Sequence, residues 1–344
     1  MRRMWLVVVI VIAASTTVNL AQQSGPYKVL KTAKVGGAGG FDYVYADSTN
    51  RRLYIPRTGP GPRITVFNLD TLEPVGEIPN VSARGTAVDP ASGHGFSSSK
   101  PVVMWDVKTL APIKTIDVGG NPDGILFDPF NARVWVFSHV SPHATVIDAK
   151  DGSVVATLDL GGAPEQAVSD RNGRLFVDIE DKDNVAVVDT KALQVTGHYD
   201  LSEQAKTPAG LAFDVKNHIL FAACRNPATM VILDSSTGKI ITTLPIGTGV
   251  DGAVFNTETM ETFSSQVDGT LTVIKEKSPS AFEVEQTVKT QPSGRTLTLD
   301  DKTNHVFVIA AEYGPPPSPP PAGGRGGGRG PMIADSFSIL VIGK

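Results

Sequence analysis

The chain has a single cysteine, Cys224, among 344 residues. No disulfide can form within it, and without a CxxCH motif a covalently attached c-type heme is excluded. There is no Gly-x-Ser-x-Gly elbow, no HExxH and no phosphate-binding Gly-rich loop opening a helix, so no familiar catalytic signature is on offer. Long apolar runs are also scarce. The longest, Trp5 to Ala14, is ten residues, against the roughly 20 that a helix needs to span a bilayer.

That run follows Arg2 and Arg3 and is succeeded by a polar stretch ending in Leu20-Ala21. Residues 1–21 therefore read as a secretory signal peptide, which places the mature protein in the periplasm or outside the cell. Ala21 suits the last position before cleavage and Asn19 does not suit its own, so retention as an anchor is the alternative. After cleavage no membrane span is expected. Loss of the two arginines takes the formal charge from −4 to −4 − 2 = −6. A mildly acidic surface argues against a nucleic-acid partner, which selects basic patches.

What the chain does have is a period. An Asp, once an Asn, is followed six or seven residues later by an aromatic residue at Asp47/Tyr54, Asp89/Phe96, Asp128/Trp135, Asp170/Phe176, Asp214/Phe221, Asn256/Phe263 and Asp300/Phe307. The anchors are spaced 42, 39, 42, 44, 42 and 44 residues apart. Short β-rich runs repeating at about forty residues specify a β-propeller with one blade per repeat. In the third repeat the strands are Gly124–Asp128, Arg133–Phe137, Ala144–Asp148 and Val154–Leu158, with Asp151-Gly152 as a hairpin turn. The fold class is thus all-β, a monomeric seven-bladed propeller of four-stranded antiparallel blades over residues 27–344, with the recurrent aromatics packed between blades.

The seventh repeat lacks a fourth strand before the chain ends at Lys344. Residues Leu30 to Gly37 match Ile113 to Gly120, the outer strand of the second repeat, at five of eight positions. The N-terminal strand should therefore complete the last blade and close the ring, removing its exposed edges.

The junctions Val118-Gly119-Gly120-Asn121-Pro122-Asp123-Gly124 and Leu160-Gly161-Gly162-Ala163-Pro164 resemble those of YVTN-type propeller repeats, a group that includes YncE-like exported bacterial proteins. The four-letter signature is degenerate here, with Val134-Trp135-Val136-Phe137 and Leu175-Phe176-Val177-Asp178 in its place. The resemblance implies an exported seven-bladed propeller and no particular reaction.

Propeller ligands gather at one mouth of the central channel, so the residue five before each anchor is the first candidate. These are Asp42, Arg84, Asp123, Glu165, Ala209, Asp251 and Arg295, charged in six of seven cases. Asp123 and Glu165 fall on adjacent blades, where like charges raise a pKa or attract a cation. Together with Asp251 they form an expected acidic arc for a cationic group. His139 and His143 sit in the neighbouring loop and could add ligands for a divalent metal. Pro142 argues against a helix that would put both rings on one face. A Pro-rich then Gly/Arg-rich insertion, residues 314–331, falls in the seventh repeat and is expected to be extended, mobile and dispensable for folding.

Binding of a protein, peptide or small polar ligand at the mouth is the function this pattern favours. A lactonase-like hydrolase using mouth carboxylates, with or without a metal, is the alternative, and a propeller subunit of a redox complex is the third reading. Deleting Leu30–Val35 should expose a sheet edge and cause aggregation or a large fall in Tm. A truncated protein that stays monodisperse with unchanged melting would contradict ring closure by this strand.

Overall fold

The computed structural model describes residues 25–316 and 330–344. Residues 1–24, which include the expected signal segment, and residues 317–329 of the insertion lie outside the described residues.

Each anchor side chain ties a turn. Asp47 Oδ1 accepts the amides of Thr49 and Asn50, Asp89 that of Ala91, Asp170 those of Asn172 and Arg174, and Asn256 those of Glu258 and Thr259. The first two strands of a blade are joined there. Side chains that accept nearby backbone amides mimic the turn itself and make it local. The same device recurs between the third and fourth strands, where Asp106 accepts Lys108 and Thr109 and Asp234 accepts Ser236 and Thr237. Both sets of turns lie at one end of the blades. The connections between strands two and three, and between blades, are left at the other.

These hairpins generate seven four-stranded antiparallel sheets. Blades 1 to 6 occupy residues 45–79, 86–116, 122–158, 164–200, 206–245 and 250–289. Blade 7 is made from both ends of the chain. Leu297–Asp300 is innermost, followed by His305–Ala310 and Ser338–Gly343, and Lys28–Lys34 pairs outside them with Thr32 opposite Leu340 and Lys34 opposite Ser338.

The closing strand is latched at its start. The Tyr27 amide donates to Gln286 Oε1 at 2.9 Å, and Gln286 Nε2 returns a bond to the Tyr27 carbonyl at 2.7 Å. The Tyr27 hydroxyl donates to the fully buried Glu261 of blade 6, which also receives Lys344 at 3.0 Å. Residues from both ends of the described chain thus meet on one carboxylate.

Packing between blades follows the repeat. Tyr54 lies with Val88, Val103 and Trp105 of blade 2, Phe176 with Leu211 and Leu220 of blade 5, and Phe307 with Leu53 and Ile55 of blade 1. All seven recurrent aromatics are at most 1% exposed. An ion pair reinforces the closure between blades 7 and 1, where both nitrogens of the Arg51 fork reach Asp300 at 2.7 Å. Burial opposes ionisation of Asp300, but Arg51, Thr303 and Ser48 together hold it well below the usual carboxylate range. This stabilisation is complete above the unfolded carboxylate pKa and lost as pH falls through the folded one.

Between the closing strand and blade 1 the chain crosses the mouth face in residues 35–44. The buried Arg57 donates to the carbonyls of Gly36, Gly37 and Gly39 and stacks on Phe337 at 3.8 Å. Gly39 has φ +103°, and a Cβ there would meet the Thr58 carbonyl oxygen at 2.3 Å, so only glycine fits. The insertion leaves the same face, with Gly314 donating to the Pro331 carbonyl at 2.9 Å at its root.

Trp135 is fully buried between blades 3 and 4. Trp135→Ala is expected to cost about 3–5 kcal/mol in denaturant unfolding. A loss under about 1 kcal/mol would show that the ring carries little of the interblade contact.

Candidate functional site

The mouth residues occupy the start of each inner strand or the loop leading to it. The position after each is glycine in four blades, Gly85, Gly124, Gly210 and Gly252. A Cβ on Gly124 would lie 2.6 Å from the Glu165 carbonyl oxygen, and one on Gly210 would lie 2.8 Å from the backbone of Gly252. The missing side chains let inner strands approach near the axis.

Two larger residues at that same position use the space. Tyr43 of blade 1 reaches across the ring and donates to Glu165 Oε2 of blade 4 at 3.1 Å. Gln166 of blade 4 accepts the amides of Leu211 and Ala253 at 3.0 Å each and donates to the Ala253 carbonyl at 2.9 Å. Together they occupy the axis beneath the rim. Burial, and then the charge of Glu165, push the Tyr43 hydroxyl far above its ordinary range, so it remains a neutral donor.

The charges above form a chain of pairs. Arg295 bridges Asp42 at 3.4 Å and Asp251 at 2.6 Å. Arg84 bridges Asp42 at 3.2 Å and Asp123 at 3.4 Å. Arg225, on the second strand of blade 5, contacts Asp251, reaches Glu180 at 2.6 Å and donates to the Val250 carbonyl. It supplies the charge that Ala209 cannot. Burial works against all three guanidinium groups, yet the surrounding carboxylates outweigh it and raise their pKa values. The acidic arc therefore comes with arginines built in.

Asp123 and Glu165 are brought together through His139. Its Nε2 lies 2.9 Å from Asp123 Oδ2 and 3.5 Å from Glu165 Oε1. Hydrogen bonds to Asp123 first and Glu165 second raise the imidazole to about 10. Burial is the main force pushing both Glu165 and Asp42 above the ordinary carboxylate range. His143 is not part of this group. Its Nδ1 faces Asp159 at 2.6 Å, toward the outer strand of the blade.

One further acid went unnoticed in the sequence. Asp178 of blade 4 is fully buried, and neither of its oxygens has a hydrogen-bond partner among the described residues. Burial, with Glu165 adding to it, raises Asp178 well above the usual carboxylate range. Cys224, buried in the adjoining interblade core, has its thiol pushed up in the same way and is a packing residue.

Beside the charge chain, where blades 7, 1, 2 and 3 meet, a cavity of about 520 Å³ opens on the mouth face. Arg84, Arg295 and Lys100 line it with Ser82, Asn121 and a single carboxylate, Asp42. Lys100 Nζ is held by the Gly120 carbonyl at 3.0 Å.

No family model matches the sequence, and no curated protein matches it. Solved structures do match. A chain in a crystal structure of the mitotic checkpoint complex superposes with a TM-score of 0.70 at 11% identity, covering 89% of this chain and 95% of that one. The WD40 repeats of RRP9 give 0.73 at 10% identity, covering 94% and 99%. The fold is a WD40-like β-propeller.

Arg225→Met would strand largely buried carboxylates and is expected to cost about 3 kcal/mol. Lys277→Met, which removes a pair that is about half exposed on both sides, should cost under about 1 kcal/mol. Equal losses in urea unfolding would mean that the mouth pairs are no stronger than surface ones.

Proposed function

We propose that this protein is an exported binding scaffold that receives an acidic group of a protein or peptide in the cavity beside the channel mouth. The observation that carries this reading is the charge of the lining, three cations against one carboxylate. Among the described residues Lys100 is held by a carbonyl alone and Arg84 keeps 45% of its side chain exposed, so both can still meet an incoming carboxylate. Fork-shaped guanidinium donors suit carboxylates in particular. An acidic ligand replaces the cationic one that the three acids suggested in isolation, because those acids already have partners.

Export is supported by the N-terminal pattern of two arginines, an apolar run and Ala21, and the YVTN-type resemblance of the Gly-Gly-x-Pro junctions agrees with it. A protein partner is supported by the occurrence of a similar propeller within a multiprotein checkpoint complex. A hydrolase of the lactonase type draws less support. Asp42, Asp123, Glu165 and Asp251 are all engaged by neighbouring side chains, and this pairing accounts for them without a reaction.

The test is calorimetry with short glutamate-rich peptides and with lysine-rich peptides of the same length. The acidic peptides should bind, more weakly as salt rises, and Lys100→Glu should weaken them by roughly tenfold or more, consistent with a like charge placed in the site. Preference for the lysine-rich peptides, or indifference to Lys100→Glu, would overturn the proposal.

A further inference from the structure

Outside the cation-lined cavity, the buried Asp123 and Glu165 and the half-buried His139 have the arrangement of a ligand set. Each residue offers one atom, and the three atoms lie within 4.8 Å of one another. His139 Nε2 is 2.9 Å from Asp123 Oδ2 and 3.5 Å from Glu165 Oε1. Ligand atoms bonded to one ion at 2.0–2.2 Å stand roughly 3–3.5 Å apart, so these separations are edges of a normal coordination polyhedron.

A second feature is independent of that convergence. Each carboxylate also meets a partner outside the group, an ion pair for Asp123 and a hydrogen bond for Glu165. Arg84 lies 3.4 Å from Asp123 Oδ1, and the Tyr43 hydroxyl donates to Glu165 Oε2 at 3.1 Å. Outer partners of this kind orient metal-binding carboxylates and keep one oxygen directed at the ion.

We propose that Asp123, His139 and Glu165 bind a divalent transition-metal ion of the zinc or manganese class through one imidazole nitrogen and two carboxylate oxygens. The nitrogen selects against calcium and magnesium, which take oxygen ligands. Asn121 and Pro122, the residues just before Asp123, line the cation-lined cavity, so the site borders on it. His143, facing Asp159, is not a ligand. The proposal does not depend on the acidic-ligand reading, since the metal is bound without any peptide.

The experiment uses the full mature chain, purified without a histidine tag, stripped with chelator and titrated calorimetrically with Zn²⁺ and Mn²⁺. Cobalt(II) serves as a visible-absorption probe. One equivalent should bind, with cobalt bands characteristic of mixed nitrogen and oxygen ligation. His139→Ala and, separately, Glu165→Gln should abolish binding, and Tyr43→Phe should weaken it by roughly 10–100-fold. His143→Ala should bind as the parent does. The proposal is overturned if the folded parent protein binds no equivalent of any of the three metals. It is also overturned if binding survives His139→Ala in a protein with an unchanged melting profile, or if His143→Ala is the change that removes it. Should His139→Ala fail to fold, Glu165→Gln and the cobalt spectrum of the parent decide the matter.

Discussion

A four-stranded blade is apolar on both faces, and this is the constraint on which the rest of the structure depends. Tyr54, Trp135 and Phe307 stand on such faces and are lost to water only when the next blade covers them. Covering seven blades in turn leads back to the first, so stability requires a closed ring and not merely a stack. Closure in turn requires the strand Lys28–Lys34 to be placed outside Ser338–Gly343, and it explains why the latch converges on Glu261 and why Arg51 and Asp300 meet at the same seam. Burial of a whole side chain such as Trp135 outweighs any single surface ion pair several-fold. The charged contacts at the seam therefore select the register of closure more than they drive it.

The mouth face obeys a second constraint. Inner strands drawn close to the axis carry acids out of water, and isolated buried carboxylates are costly. Three arginines, one histidine and one tyrosine satisfy them in a connected chain from blade 7 round to blade 6. Such a chain is rigid, because moving any member uncovers a charge on the next. Rigidity of this kind suits a recognition surface, and it presents the cation-lined cavity and the imidazole centre side by side with little freedom in either.

Much of this was legible in the residues. The Asp-to-aromatic period, the match between residues 30–37 and 113–120, and the mouth position five before each anchor all reflect local chemistry repeated at fixed spacing. Turn-forming carboxylates, β-rich strands and a large ring at one face of a sheet behave alike in every blade, so a single chain displays them seven times over. The axis-filling roles of Tyr43 and Gln166 also left a trace, since glycine holds their position in four other blades. That contrast of large against absent side chains could have been read as a plug.

Other features belong to no repeat. Arg225 replaces the charge missing at Ala209 from a different strand, and Asp178 is buried only because blade 5 covers it. His139 and His143 look equivalent in sequence, yet one meets Asp123 and Glu165 while the other meets Asp159. The sequence by itself determined the number of blades, their internal turns and the terminus that closes the ring, because these arise from neighbours along the chain. Which charges pair across the mouth, and hence the sign of its cavity and the identity of its ligand set, was decided only by tertiary structure. Those pairings join side chains as many as 253 residues apart, and their partners are chosen by the curvature of the closed ring.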